Sequence, residues 1–337
     1  MAKQSNDKPR IAFYGLGNYG LEAARIAAAN PHCTIVAAYN RAGPKVGQDL
    51  GRLAGLDRDL GVVVQDCDTA DFAAAGADVA IVAVTDRLAK NLPIYEKLLG
   101  AGLNVICHGA EAYFPYGADA ALAARIDALA KANEVSFTGT GIWDFSRIWA
   151  GILALGPATE IRSLFHRSIT DAQSATLDLA KVCGVTLTQA EFAEQNHDRI
   201  GDLYKLIPHH VLHALGYTVT SVTERREPVL SDAPVHSHLA GRDLEPGIVL
   251  GIRIVAEVET AEGVTATCHM ELRILQEDES EHMLWAVDGK PATKVRVDRT
   301  DSLHTSAACL VNRVPNVVAA APGIRLVSEL GVLRPWL

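Results

Sequence analysis

The sequence lacks the features of several large classes of protein. It has no excess of positive charge, since 31 lysines and arginines stand against 40 aspartates and glutamates, a formal net charge of −9. Surfaces that bind nucleic acid usually carry a basic patch or stripe, so we expect no nucleic acid among the partners. No apolar run reaches the ~18 residues of a membrane span, so we also expect no membrane insertion.

Cysteine usage and the first residues argue against a secreted protein held by disulfides. The six cysteines are scattered and none forms a CxxC pair, a usage typical of reduced thiols in the cytoplasm. The first ten residues, MAKQSNDKPR, are polar and contain no apolar segment of the kind found in a secretory signal. We therefore expect a cytoplasmic protein.

The histidines do not form an established metal-binding motif. His209 and His213 are four residues apart in a segment that reads as a helix, and His236 and His238 are two apart. Pairs at such spacing can share one zinc ion, but the chain has no HExxH motif and no cysteine pair near these residues. We expect no metal site and assign these histidines to the surface or to an interface.

What the chain does contain is enough material for two domains. It has 337 residues, of which 49% are hydrophobic and 21% are charged, an ordinary composition for a globular protein with a sizeable core. Up to about residue 142, short apolar strands alternate with helices, which predicts βαβ units and a parallel sheet. Residues 143–200 then read as mainly helical, and residues 218–297 read as strands of a mostly antiparallel sheet.

The predicted fold class is therefore α/β, a Rossmann dinucleotide-binding domain followed by a second α+β domain with a mostly antiparallel sheet. We assign residues 1–142 and 300–337 to the first domain, because an apolar helix near the end of the chain is expected to pack back on it. Residues 143–299 form the second domain, to which we assign substrate binding and dimerisation.

A glycine-rich loop provides the first functional signal. Gly15, Gly17 and Gly20 follow a short apolar strand at GxGxxG spacing, and an alanine-rich helix comes next. In this context the first glycine permits a tight turn, the second lets a pyrophosphate approach the backbone, and the third lets helix and strand pack closely. We expect Asn18 and Tyr19, which lie between the second and third glycines, to contact the cofactor as well.

The end of the second strand bears on the choice of cofactor. An acidic residue there would bind the ribose 2′-hydroxyl of NAD, whereas an arginine would accept the 2′-phosphate of NADP. This chain has Asn40 and Arg41 at that place, with Lys45 close by. We expect NADP, with NAD possible if Arg41 is only a solvated surface charge.

The ends of later strands supply further candidates, because ligands in open α/β sheets bind beyond the carboxyl ends of the strands. Asn312, near the end of the tail helix, is a candidate for contact with the nicotinamide, although an ordinary helix-end asparagine is equally consistent with the sequence. Asn312 is thus a candidate from the tail helix. The expected cofactor-binding residues at the strand ends themselves are Val84, Thr85, His108 and Gly109.

Five sequence blocks together resemble the native amine dehydrogenases and the 2,4-diaminopentanoate dehydrogenases, within a wider group similar to dihydrodipicolinate reductase. In order they are GLGNYG, KVGQDLGRLAGLDRDLGVVV, HGAEAYFP, TGTGIWD and LVNRVPNVVAAAPGI. The resemblance implies a Rossmann domain, a second α+β domain and a homodimer. It also implies NAD(P)-dependent oxidative deamination of an amine, or reductive amination of a ketone or aldehyde with ammonia. The key acidic residue of the family falls on Glu111.

Glu111 follows a strand end, where the nicotinamide is expected. A carboxylate there can take the proton from a substrate ammonium and then stabilise the positive iminium left by hydride transfer. The structural alternative is that Glu111 caps the following helix or forms a surface salt bridge. The chain lacks the Glu-Lys-Pro motif typical of sugar and inositol dehydrogenases, which makes alcohol chemistry less favoured.

The segment after TGTG is expected to line the substrate pocket. Arg147 departs from the aromatic and apolar residues expected there, and it would either pair with Asp144 or Asp171 or bind a substrate carboxylate. The predicted pocket residues are Trp143, Phe145, Arg147, His166 and Thr170. Two alternatives to an amine dehydrogenase stay open: an imine reductase similar to dihydrodipicolinate reductase, and a non-catalytic NADP-binding sensor.

Overall fold

The computed structural model describes residues 8–174, 177–195, 202–276 and 278–337. The chain divides into two compact units, Met1–Phe145 with Asp301–Leu337, and Ser146–Thr300. Most of the polar N-terminal segment, and the last residues of the stretch 143–200 expected to be mainly helical, lie outside the described residues.

The first unit contains a parallel sheet flanked by helices. Its strands are β1 Arg10–Tyr14, β2 Thr34–Asn40, β3 Val64–Asp66, β4 Val79–Val82, β5 Asn104–Cys107, β6 Ser136–Gly139 and, late in the chain, β15 Gly323–Ile324. Its helices are α1 Asn18–Ala29, α2 Leu50–Leu53, α3 Leu88–Gly100, α4 Pro115–Ala118, α5 Ala120–Ala132, α10 Ser302–Asn312 and α11 Val314–Val318. The described strands are ordered β15-β6-β5-β4-β1-β2-β3, and all neighbours are parallel. The Rossmann class predicted for this domain is confirmed.

One hydrophobic core joins the start and the end of the chain. The central strands are short runs of Val, Ile, Ala and Phe that are buried on both faces, as expected for parallel strands covered by helices on both sides. Ile11, Phe13 and Ile81 of these strands share the core with Leu310 and Val314, which belong to α10 and α11. Residues 301–337 are therefore an integral part of the first unit.

A fully buried ion pair secures this return of the chain. Arg313 donates from Nε to Asp144 Oδ2 at 2.6 Å and from Nη2 to Asp144 Oδ1 at 2.7 Å, and neither side chain is exposed. Thr140 donates from Oγ1 to Asp144 Oδ2 at 2.7 Å, and Arg313 Nη1 donates to the Gly331 carbonyl at 2.8 Å. The pair thus links the segment after β6, the junction of α10 and α11, and the residues that follow β15.

The second unit is built on a mixed sheet. Its strands are β7 Glu160–Asp171, β8 Val219–Leu230, β9 Val235–Ser237, β10 Arg242–Leu244, β11 Val249–Thr260, β12 Thr265–Arg273, β13 His282–Lys290 and β14 Thr293–Asp298. Its helices are α6 Ala150–Leu155, α7 Leu177–Val182, α8 Gln189–Glu194 and α9 Leu206–Ala214. The six-stranded sheet has the order β14-β13-β7-β12-β11-β8, and all of its pairs are antiparallel except β7 with β12. The predicted mostly antiparallel sheet is confirmed.

The expectation that residues 143–200 are mainly helical was wrong at β7. This strand occupies twelve residues of that segment and lies between β13 and β12. Its buried face includes His166 and Ser168 beside Leu164, so polar residues stand where apolar residues would have marked a period of two. The alternation typical of a half-buried strand was therefore hidden in the sequence.

All six cysteines are free thiols. Within the described ranges, no helix combines the length and the apolar character needed to cross a membrane.

We predict that breaking the Asp144–Arg313 pair destabilises the first unit. Removing one partner leaves an uncompensated buried charge, so Arg313→Met and Asp144→Asn should each lower the free energy of unfolding by about 3–5 kcal/mol. Urea titration followed by circular dichroism measures this change. Arg125→Met is the matched control, because the Arg125–Glu96 pair is largely exposed and its loss should cost less than about 1 kcal/mol. Equal, small effects of all three substitutions would contradict the prediction.

Candidate functional site

The glycine loop after β1 is tight at both ends and open in the middle. Gly15 has φ +89°, and a Cβ on it would lie 2.6 Å from the Ala83 carbonyl oxygen. A Cβ on Gly20 would lie 2.0 Å from the Gly15 carbonyl oxygen, so α1 can pack this closely on the loop only with glycine there. A Cβ on Gly17 would have no neighbour within 4 Å. The loop therefore leaves room where a pyrophosphate would approach the backbone.

The start of α1 fits an anionic group. Gly17 is the N-cap residue and has no side chain with which to cap this end, and the start of a helix favours a bound anion. Asn18 and Tyr19 form the first turn, and the Tyr19 ring stacks on the His108 ring with centroids 4.1 Å apart. This contact joins the glycine loop to the segment that follows β5.

At the end of β2, two of the three polar residues hold the glycine loop. Asn40 Oδ1 accepts a hydrogen bond from the Leu16 N–H at 3.2 Å, and Lys45 Nζ donates to the Leu16 carbonyl. Arg41 is exposed. Burial raises the pKa of Tyr14, as do Cys67 and Asp68, and the positive charge of Arg41 acts in the opposite direction. Arg41 and Asp68, which follows β3, are thus both near Tyr14 at the end of β1.

The segments after β4 and β5 are in close contact. A Cβ on Gly109 would lie 2.4 Å from the Thr85 carbonyl oxygen, so only glycine permits this approach. Asp86 Oδ1 accepts from the Ala110 N–H at 3.0 Å, and the Glu111 N–H donates to the Asp86 carbonyl at 3.0 Å. The two strand ends therefore form one rigid rim.

A buried polar cluster supports this rim from below. Asn91 Nδ2 donates to the Thr85 carbonyl at 2.7 Å and to Tyr95 Oη at 3.0 Å. Tyr95 Oη lies 2.7 Å from Cys107 Sγ. Burial raises the pKa of Tyr95 well above its usual value and that of Cys107 to about 11, so both groups remain protonated near neutral pH. The cluster is a neutral structural brace.

The Glu111 carboxylate is held on both of its oxygens. Oε1 accepts from Arg87 Nη1 at 2.8 Å, and Oε2 accepts from the Leu88 N–H at 2.6 Å. The structural role considered for Glu111 was a helix cap or a surface salt bridge, and it makes both contacts. The salt bridge is with Arg87, and the capped helix is α3, which precedes Glu111 in the chain rather than following it. An ionised carboxylate can accept about four hydrogen bonds, so these two leave capacity for a substrate nitrogen. The side chain is 17% exposed.

His108 connects the rim to the tail helix. Its Nε2 lies 2.9 Å from Ser306 Oγ, which also accepts from the Ile142 N–H at 3.2 Å. Burial lowers the pKa of His108, which favours the neutral ring. Asn312, proposed for nicotinamide contact, accepts on Oδ1 from the Trp336 N–H at 3.1 Å. The α10 residue that reaches His108 is thus Ser306.

The predicted aromatic residues lie at a helical irregularity. Trp143 is buried, and its ring centroid is 5.1 Å from that of Tyr113. Phe145 is half-buried in a π-helical turn that spans Asp144–Trp149. Such turns are rare and are often found at functional sites.

In the second unit, Arg147 and His166 lie on the buried side of the sheet. Arg147 Nη2 donates to Ser168 Oγ at 2.8 Å, and its guanidinium carbon is 5.7 Å from the Tyr204 ring centroid. Asp144, one of its two expected ion-pair partners, has its carboxylate bound by Arg313.

The other two predicted pocket residues of this unit have described partners. His166 Nδ1 lies 2.9 Å from the Leu284 carbonyl oxygen, and burial lowers the pKa of this histidine far below its usual value. Its ring is therefore neutral near neutral pH, with the proton on Nδ1 donated to that carbonyl. Thr170 Oγ1 accepts from Arg299 Nη2 at 2.7 Å.

The candidate metal ligands are the two histidine pairs and a group at the end of β3. His209 and His213 lie on α9, and His236 Nδ1 lies 2.7 Å from Asp243 Oδ1. Asp66, Cys67 and Asp68, at the end of β3, each offer one possible ligand atom, and these three atoms lie within 4.8 Å of one another. This is the group of that kind found among the described residues. Exposed acidic groups of this kind are common on proteins without a metal.

Two residues of this rim, Asp86 and Arg87, and Ser306 of the tail helix were not among the residues predicted from the sequence. Asp86 and Arg87 directly follow Val84 and Thr85, which the strand-end argument had selected, so extending the same argument by two residues would have included them. Ser306 offered no such signal, because a serine in the first half of a helix is most often only a polar surface residue.

Comparison with known proteins identifies the relatives of this chain. The family described as the 2,4-diaminopentanoate dehydrogenase C-terminal domain matches residues 152–337, more than half of the chain. The amine dehydrogenase from Mycobacterium smegmatis has a similar structure, with a TM-score of 0.81, 30% sequence identity and 98% of both chains covered. No curated protein sequence matches this chain significantly.

Two more distant structures share the fold. GenD2 from gentamicin A biosynthesis, solved in complex with NAD, has a TM-score of 0.59 and 16% identity over 95% of this chain and 89% of its own. A probable dehydrogenase from Thermotoga maritima has a TM-score of 0.61 and 14% identity over 95% of this chain and 92% of its own. From the family match and the similarity to the Mycobacterium smegmatis amine dehydrogenase, we conclude that the chain belongs to the family of amine dehydrogenases and 2,4-diaminopentanoate dehydrogenases, which are oxidoreductases that act on amines.

Proposed function

We propose that the protein is an NAD(P)-dependent amine dehydrogenase that deaminates an amine oxidatively or, in reverse, aminates a ketone or aldehyde with ammonia. The observation that carries this proposal is the Glu111 carboxylate, held by Arg87 and Leu88 on the rim formed after β4 and β5. His108, three residues before it, stacks on Tyr19 at the start of α1. The carboxylate thus belongs to the same rim as the loop to which we assign the dinucleotide.

In this reaction Glu111 acts on the substrate nitrogen. A bound nicotinamide supplies the chemistry of hydride transfer. In deamination, Glu111 accepts a proton from the substrate ammonium, which frees the nitrogen lone pair to form the iminium as the hydride leaves the carbon. Once Glu111 has released this proton to solvent, its carboxylate stabilises the positive iminium until water adds and ammonia departs. In amination, the same carboxylate orients ammonia toward the carbonyl carbon.

The cofactor proposed is NADP, with NAD as the second candidate. The open space over Gly17 and the position of this glycine at the start of α1 fit the pyrophosphate of either one. The preference for NADP rests on Arg41, an exposed cation directly after β2, because Asn40 and Lys45 are bound to the glycine loop. We also propose, from the family resemblance, that the protein forms a homodimer.

The imine reductase alternative would be favoured by a cationic substrate site, with several basic residues around Arg147 and Arg167. Arg147 binds Ser168, and adjacent residues of a strand point to opposite faces of the sheet, so Arg167 faces away from Arg147. Arg167 instead lies 3.9 Å from Glu271, a carboxylate that also receives hydrogen bonds from Arg253 and Arg273. The basic residues around Arg167 therefore share the Glu271 carboxylate, and Arg167 does not combine with Arg147 in one cationic site.

A panel of ketones and aldehydes tests the proposed reaction. Each carbonyl compound is mixed with ammonium and NADPH, and NADPH loss is followed by absorbance, with mass spectrometry of the amine product. We expect ammonium-dependent NADPH oxidation for at least one member and formation of the corresponding amine. Tight NADPH binding without turnover of any member would instead support the non-catalytic sensor.

Glu111→Gln should abolish most of this activity. General acid–base catalysis contributes about 10²–10⁴-fold, so kcat/KM for the best substrate should fall by about that factor. The glutamine can still accept from the Leu88 N–H, so the melting temperature and the dissociation constant for NADPH should stay near those of the wild type. Glu96→Gln on α3 is the matched control and should keep full activity. Near-normal turnover by Glu111→Gln would show that another group performs the proton transfer.

Arg41→Ala should change the cofactor preference. Loss of a hydrogen bond from arginine to phosphate costs about 1.5–3 kcal/mol, so kcat/KM for NADPH should fall at least about tenfold. The value for NADH should change little, because that cofactor has no 2′-phosphate. Arg10→Ala serves as the control, because Arg10 lies at the amino end of β1, whereas Arg41 follows the carboxyl end of the neighbouring strand β2. An unchanged ratio between the two cofactors in Arg41→Ala would remove the basis for proposing NADP.

A further inference from the structure

Arg87 and Glu111 come from different strand ends and form a half-buried ion pair. Arg87 follows β4 and immediately precedes α3, whereas Glu111 follows β5. The Nη1–Oε1 distance is 2.8 Å, and the two side chains are 34% and 17% exposed. A charge-assisted hydrogen bond at this distance is stronger than one between neutral groups. The contact is therefore less exposed than surface pairs such as Arg52 with Asp59.

The second contact of Glu111 fixes its other oxygen. Leu88 is the first residue of α3, and its N–H donates to Oε2 at 2.6 Å. The helix has no cap from its own N-cap residue, which is Arg87, so the carboxylate from the neighbouring segment replaces it. The amino end of a helix also attracts negative charge. With one contact on each oxygen, rotation of the carboxylate is restricted.

The main chains that carry this pair are themselves fixed. The Ala110 and Glu111 N–H groups donate to the Asp86 side chain and carbonyl, respectively. Asn91 holds the Thr85 carbonyl from the buried side. The backbone next to Arg87 is therefore held in place on both sides. The hydrogen bond from its guanidinium in turn restricts the position of the Glu111 carboxylate.

We propose that Arg87 is a positioning residue for Glu111, which sets the orientation of the carboxylate toward the substrate nitrogen. This inference rests on the proposed catalytic role of Glu111. Its physical basis is the strong dependence of rate on geometry, since a misplacement of 1 Å can reduce turnover by about 10²-fold. Arg87 acts on catalysis through Glu111 and does not itself transfer a proton.

Steady-state kinetics of Arg87→Met and Arg87→Lys test this role. Arg87→Met removes the hydrogen bond and the charge, so kcat should fall by about 10–100-fold while KM for NADPH stays within about twofold of the wild type. Arg87→Lys keeps one charged donor and should recover part of the lost kcat. Arg125→Met, which removes the partner of Glu96 on the same helix, should leave kcat unchanged.

A double variant separates positioning from a general structural effect. If Arg87 acts through Glu111, Arg87→Met should lower kcat little or not at all in the Glu111→Gln background, because residues that act as a unit are not additive. Multiplication of the two losses would overturn the inference. So would a normal kcat in Arg87→Met, or a rise in KM for NADPH alone, which would make Arg87 a cofactor-binding residue.

The design keeps the two proposals distinguishable. Normal turnover by Glu111→Gln would refute the proposed function, whereas a large loss in Glu111→Gln with normal turnover in Arg87→Met would refute only the positioning role. Melting temperatures of all variants control for folding. If Arg87→Met is too unstable to assay, the same comparison is made with Arg87→Lys, which must show a lower kcat at unchanged KM for NADPH, and no further loss when combined with Glu111→Gln.

Discussion

The bond between the Glu111 carboxylate and the first N–H of α3 determines how the rim of the parallel sheet is arranged. A helix start needs acceptors for its free N–H groups, and α3 takes one from the segment after β5. β4 and β5 are neighbours in the sheet, this bond joins the segments that follow them, and Gly109 permits their close contact because it has no side chain. The same carboxylate that satisfies the helix is the group to which we assign the chemistry, so structure and function share one side chain.

The fold class was predictable because its signals are local. Glycines at fixed spacing between a strand and a helix, and short apolar runs alternating with helices, are visible in any short window of the sequence. The position of Glu111 after a strand end followed from the same local pattern. The helical expectation for residues 143–200 failed at β7, where His166 and Ser168 face the buried side of the sheet and hide the alternation. Burial of polar residues depends on tertiary partners, such as the Leu284 carbonyl, that no local pattern specifies.

The site residues that the sequence did not reveal were hidden for the same reason. The roles of Arg87 and Ser306 depend on contacts with residues 24 and 198 positions away along the chain, and sequence spacing alone gives no register between such segments. Asn312 was a candidate because the tail helix was expected to return to the first domain, but the α10 residue that lies beside His108 is Ser306, one helix turn and more before it. The sequence indicated which residues follow the strand ends, but only the folded structure shows which of them bind one another.

The first unit is discontinuous in sequence, and this has a consequence for the order in which the protein can form. Its core includes α10 and α11, and its sheet is completed by β15 beside β6. A ribosome makes these segments only after the whole of the second unit has been synthesised. Domains generally fold during synthesis from the N-terminus onward, but here the earliest strands must wait for the latest helices. The nascent dinucleotide-binding unit therefore exposes apolar strand faces for most of its translation, and the second unit is free to fold first.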